Sequence, residues 1–131
     1  MPKFSNSSKS KLNTCHDKLQ LVFNEVIKHW DCTILEGTRS KETQDEYFRT
    51  GRSEVRYPNS KHNSSPSEAV DVAPYPIDWK DLDRFRAFGN FVLGVASANN
   101  VKLRWGGDWD GDRSFADQSF HDLPHFELLE E

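Results

Sequence analysis

His62 and Asp71 stand in one stretch of this chain, Ser60-Lys61-His62 … Ala69-Val70-Asp71, and His125 follows near the other end in Asp122-Leu123-Pro124-His125. Two imidazoles and a carboxylate are the donor set of a zinc site with three protein ligands. Such a site keeps a fourth position open for water, which separates a catalytic metal from a structural one. If the three side chains meet in space, the chain reads as a metal-dependent hydrolase. Asp122, three residues before the last histidine, is a further carboxylate within reach of the same centre.

Size and charge narrow the options. A chain of 131 residues makes one domain, 1–131, with a modest core and no room for two. Nine Phe and four Trp supply bulky burial despite a hydrophobic fraction of 35%, so a folded domain is expected, with residues 1–12 flexible. The net charge is −4 and no basic stripe is present, which argues against binding a phosphate backbone and against a nuclease. Cys15 and Cys32 are too few for a disulfide scaffold and read as reduced core thiols. The polar Ser/Lys-rich start has no apolar signal core, and no apolar run reaches the length that crosses a bilayer.

The apolar residues Leu19, Val22, Phe23, Val26 and Trp30 share one face of a helix, started by a capping-box-like Thr14 to Asp17 and ending near Trp30. Neither His16 nor His29 has ligand-type neighbours at useful spacing, and both read as surface or core-edge residues. Cys32 to Glu36 is β-prone. Ser40 can cap a second helix that runs to about Thr50, with Gly51 just past its end. A long polar loop from Arg52 to Pro66 precedes an alternating strand over 69–73, in which Asp71 lies between Ala69 and Ala73 on one face. Asp78 or Asp81 can cap a long helix with Leu82, Phe85, Gly89, Val92 and Ala96 on one face, ended by Asn99-Asn100. Strands follow over 101–105 and 125–129, with His125 and Glu127 facing opposite to Phe126 and Leu128.

Spacing alone leaves two readings open: a zinc centre of His62, Asp71 and His125 with Asp122 as base, or scattered structural polar residues. In combination the motifs say more. Ser60-x-His62 … Ala69-Val70-Asp71 and Asp122-x-x-His125, preceded by Arg104-Trp105-Gly106-Gly107-Asp108-Trp109, resemble the D-alanyl-D-alanine carboxypeptidase/L-alanyl-D-glutamate endopeptidase family of zinc peptidases (VanY-like), which includes many small phage endolysins. Glu36-Gly37-Thr38-Arg39-Ser40 … Gln44 … Gly51-Arg52-Ser53 resembles that family's upstream block, so the likeness runs from about residue 14 to the end.

The resemblance implies an α+β domain with helices packed on a small antiparallel sheet that bears one zinc ion. It implies His62, Asp71 and His125 as ligands, Asp122 as catalytic base, and Arg39 as a cation near the scissile carbonyl or a substrate carboxylate. Ser60 and Gln44 carry over as groups that hold the ligands in place. His121 stands next to Asp122 and, read from that position alone, orients a substrate or is simply exposed. Two departures stand out. The spacer between His62 and Asp71 is longer than in many members and contains Pro66, and aspartate stands at 122 where some members have glutamate.

The implied activity is hydrolysis of peptidoglycan stem peptides, as an L-alanyl-D-glutamate endopeptidase of endolysin type. The chain would act as a monomer, without nucleic acid or membrane insertion, and stay in the host cytoplasm until released to the wall for bacteriolysis. A D-Ala–D-Ala carboxypeptidase or dipeptidase on the same site is the nearest alternative. A zinc-stabilised binding module without catalysis is the alternative from another class. Asp108, Asp110 and Asp112 alternate as in a calcium loop, but Gly111 and Ser119 fall where that loop needs other residues, so a solvated acidic turn is preferred.

Overall fold

The computed structural model describes residues 2–53, 55–107 and 122–129. Its elements in chain order are α1 (Asn6–Leu12), α2 (Asp17–Val26), β1 (Cys32–Glu36), α3 (Lys41–Arg49), a 3₁₀ turn at Lys61–Asn63, β2 (Ala69–Pro74), α4 (Leu82–Ala98), β3 (Leu103–Gly106) and β4 (Asp122–Leu128). The strands form one antiparallel sheet in the order β1-β2-β4-β3. This is the α+β architecture expected from the sequence.

Strand alternation divides the sheet into two working faces. The pairs Ile34–Val72, Val70–Phe126 and Trp105–Phe126 point into the core, where α2 and α4 cover them. Leu19, Val22, Phe23 and Val26 of α2 are completely buried, as are Val92 of α4 and Phe126 of β4. Phe126 meets Phe23 and Phe88 edge-on, with ring centroids 5.5 and 6.3 Å apart. The opposite face pairs Glu36 with Asp71, Asp71 with His125, and Arg104 with Glu127. Every residue of the second set is polar, so the register that buries the core also gathers the chemistry.

Several boundaries differ from expectation: β3 spans 103–106 rather than 101–105, β4 already starts at Asp122, and three further differences have clear causes. The N-terminal segment is a helix rather than a flexible start. Ser5 accepts the Ser8 N–H (3.1 Å) as N-cap, and Phe4 and Leu12 are buried. The reason lies in β1, an edge strand with unpaired N–H groups. Ser8 Oγ accepts the Ile34 N–H at 3.1 Å, so α1 covers that edge with a side chain. Second, α2 stops at Val26, and the chain turns through N–H bonds from His29 and Trp30 to the Val26 carbonyl (3.0 and 2.9 Å). Trp30 packs instead on Phe88 and Phe91 of α4. Third, the cap of α2 is His16, whose Nδ1 accepts the Lys18 N–H at 3.1 Å, while Thr14 bonds the Lys11 carbonyl.

The remaining caps lie where the side chains allow. Ser40 accepts the Thr43 N–H (3.2 Å) at α3, and Asp81 accepts the Arg84 N–H (3.1 Å) at α4. Both cysteines are free and buried. Burial pushes the Cys15 thiol up to about 11 and the Cys32 thiol up to about 12, which keeps them protonated and inert.

Candidate metal centre

Asp71 and His125 are cross-strand partners on the polar face, and their placement follows from the β2–β4 register. His62 arrives from outside the sheet on the 3₁₀ turn. Ser60 caps that turn by accepting the His62 N–H (3.2 Å), and Asn63 Oδ1 accepts the Ser60 N–H (3.1 Å). The turn is tied to Arg39 as well, whose N–H donates to the His62 carbonyl (2.7 Å). The longer, Pro66-containing spacer therefore still delivers the histidine.

His62 Nε2, Asp71 Oδ1 and His125 Nδ1 converge. Nε2 lies 3.2 Å from Oδ1 and 3.3 Å from Nδ1, and Nδ1 lies 3.4 Å from Oδ1. A tetrahedral ion with ligands at about 2.0–2.1 Å separates its donor atoms by about 3.3–3.4 Å. The three distances match that triangle, and the three residues form a group that can hold a metal ion.

The other nitrogen of each ring is already committed. His62 Nδ1 lies 2.7 Å from the Gly37 carbonyl and must donate to it, which leaves Nε2 as a lone pair. His125 Nε2 donates to Glu127 Oε1 (2.8 Å), which turns Nδ1 toward His62 and Asp71. Such outer partners fix tautomer and ring orientation. Glu127 is buried, and its second oxygen faces Arg104 (2.8 Å) and Lys61 (3.6 Å).

Electrostatics follow from this packing. Burial opposes the charge on Asp71, but the His62 and His125 rings hold its carboxyl far below the usual carboxylate range. Burial likewise opposes a charged His125, yet hydrogen bonds to Asp71 and Glu127 raise it to about 9. Burial works against Glu127 too, but the His125 and Arg104 contacts bring it down to about 2. Asp122 goes the other way: burial first, then the Asp71 charge, raise it to about 6.

Asp122 Oδ2 lies 3.9 Å from His125 Nδ1, beside the ligand group. Gly106 holds it there, because its backbone pairs with Asp122 so closely that a Cβ would meet the Asp122 carbonyl oxygen at 2.0 Å. Arg39 donates from Nε to Glu36 Oε1 (2.7 Å) and from Nη1 to Gln44 Oε1 (2.9 Å), and its Nη2 lies 3.4 Å from Asp71 Oδ2. Among the described residues, Gln44 reaches the ligands through Arg39. A cleft of about 910 Å³ opens over the group, lined by Arg39, Tyr47, Asp71, Trp79, Asp122 and His125 among others. His121, Asp108, Asp110 and Asp112 lie outside the described residues.

Sequence reasoning missed Glu127 and Glu36. Glu127 left a signal, since it stands two residues after His125 on the same strand face. Glu36 left none. Its contact with Arg39 depends on the β1 irregularity between Ile34 and Glu36, which no side-chain pattern announces.

Fold and site define a class, a small α+β domain with a three-donor metal group on the open face of its sheet. Comparisons with known proteins refine it. The family model described as phage L-alanyl-D-glutamate peptidase matches residues 1–129. The L-alanyl-D-glutamate peptidase of Escherichia phage T5 is 30% identical over 135 residues, covering 97% of this chain and 98% of that protein. The crystal structure of the Serratia marcescens L-Ala D-Glu endopeptidase ChiX superposes with a TM-score of 0.75 at 26% identity, covering 97% of this chain and 90% of that one. The chain belongs to the phage L-alanyl-D-glutamate peptidase family.

Proposed function

We propose that this chain is a zinc peptidase that cleaves the L-alanyl–D-glutamyl bond of peptidoglycan stem peptides, in the manner of a phage endolysin. The observation that carries the reading is the donor triangle of His62 Nε2, Asp71 Oδ1 and His125 Nδ1, with sides that suit tetrahedral zinc, beside a cleft that Asp71 and His125 line. A mixed imidazole and carboxylate set suits zinc. The names of the phage T5 and Serratia proteins, both L-Ala–D-Glu peptidases, support the bond assigned. Among the described residues no helix is long and apolar enough to cross a membrane.

Zinc held by His62, Asp71 and His125 would supply Lewis acidity toward an amide carbonyl and toward the attacking water. The protein's own groups do the rest. Asp122, beside the ligands and raised to about 6, is ionised near neutral pH and takes the proton of the attacking water. It then returns that proton to the leaving D-glutamyl amine. Arg39 engages Asp71 Oδ2, which leaves Oδ1 for the metal, and its guanidinium lines the cleft where negative charge develops. Glu127 keeps the His125 tautomer.

The test is mass spectrometry of purified peptidoglycan digested with zinc-loaded protein, beside a chelated control. New L-Ala carboxyl ends and D-Glu amino ends that require zinc support the endopeptidase. Released D-Ala alone would move the chain to the carboxypeptidase reading, and no cleavage would leave a binding module.

A further inference from the structure

Gly51 ends α3 in the left-handed region (φ 80°), a conformation that glycine adopts without strain. The turn sends Arg52 back along the helix, with its guanidinium carbon 4.1 Å from the centre of the Tyr47 ring. The loop beyond it is anchored from inside. The buried Gln44 amide donates to Ser53 Oγ (3.0 Å) and to the Val55 carbonyl (2.7 Å). The same Gln44 accepts from Arg39, whose guanidinium carbon lies 4.6 Å from the centre of that Tyr47 ring. Tyr47 therefore links Arg52 to Arg39, Gln44 ties the loop after Arg52 to Arg39, and Arg39 touches the metal ligand Asp71.

Carboxylate contacts set Arg52 apart. Four Lys and Arg side chains line the cleft: Arg39, Arg52, Lys61 and Arg104. Arg39 is matched by Glu36 and Asp71, while Lys61 and Arg104 share Glu127. Arg52 is exposed and pairs with no carboxylate among the described residues. A guanidinium laid over an aromatic ring keeps its N–H edge free, and that edge fits a carboxylate by two parallel hydrogen bonds.

The substrate provides the missing anion. D-Glutamate has two carboxyl groups, and at most one continues the stem. The other is a free carboxylate only a few bonds from the nitrogen that leaves. Arg39 already carries two carboxylates, Glu36 and Asp71. We propose that Arg52 binds this free D-glutamyl carboxylate and so sets the specificity for an acidic residue on the amine side of the cut. The inference rests on the activity proposed above.

The experiment compares two synthetic stem tripeptides that share the L-Ala–D-Glu bond, one with the free D-glutamyl carboxylate and one with that group as carboxamide. Zinc-loaded wild type, Arg52→Gln and Arg52→Lys are each assayed for kcat and KM on both. The wild type should prefer the acid by about tenfold or more in kcat/KM, mostly through KM, as for a hydrogen bond between charged partners. In Arg52→Gln the acid-to-amide ratio should fall to near one, and Arg52→Lys should keep part of the preference. An unchanged ratio in Arg52→Gln would overturn the assignment, as would an equal loss on both substrates. Failure of the wild type to cut either peptide would instead bring down the proposed activity on which the assignment rests.

Discussion

Replacing Glu127 by glutamine tests how the outer partner of His125 governs the metal. The amide oxygen can still accept from His125 Nε2, but the charge that faces Arg104 and Lys61 is gone. In wild type, His125 is raised to about 9, so in the metal-free protein at pH 7 about one ring in a hundred is neutral. A metal needs the neutral ring, and binding expels a proton. Below about pH 9 each unit of pH lost therefore weakens apparent zinc affinity about tenfold through His125 alone, and near pH 9 that dependence flattens. Glu127, down at about 2, stays ionised throughout.

Removing its charge has two opposed effects. His125 loses one cause of its upward shift, which relieves competition from protons at low pH. The ring also loses a basic partner, which typically costs 10–100-fold in metal affinity. The wild-type advantage over Glu127→Gln should therefore grow with pH toward the full 10–100-fold, which it reaches only above about pH 9. Competition against a chromogenic chelator from pH 6.5 to 8.5 measures both curves. Equal affinities at pH 8.5, or an advantage that shrinks as pH rises, would refute the reasoning.

Three further outcomes are expected. Asp122→Asn should retain zinc by metal analysis while turnover falls by about 10²–10⁴-fold, the usual contribution of general acid–base catalysis. Gly106→Ala should lower turnover with zinc still bound, because the added Cβ would meet the Asp122 carbonyl at 2.0 Å and displace the base rather than the ligands. Ser8→Ala should lower stability by about 1 kcal/mol in urea denaturation of the metal-free protein, since the buried Ile34 N–H loses its acceptor.

Much of the fold and of the site is legible in the order of the residues alone. The periodicities of Leu19 to Val26 and of Leu82 to Ala96 mark α2 and α4, and Ser40 and Gly51 bracket α3. Asp71 between two alanines marks the strand face that needs space. Other parts depend on contacts between distant segments. α1 offers only Phe4 and Leu12 as apolar residues on a Ser-rich stretch, and it holds because Ser8 satisfies an edge strand far along the chain. Arg39 is readable as a cation near the site, but its engagement by Glu36, Gln44 and Asp71 depends on how β1 meets α3 and β2. That Arg52 has no carboxylate partner among the described residues emerges only once the other cleft cations are seen against Glu36, Asp71 and Glu127.

The most direct test of the metal centre is anomalous diffraction at the zinc edge from crystals grown with zinc. The expected result is one strong peak about 2.0–2.1 Å from each of His62 Nε2, Asp71 Oδ1 and His125 Nδ1, with Glu127 still hydrogen-bonded to His125 Nε2. A peak on the Glu127 side of His125, or none between the three donors, would contradict it.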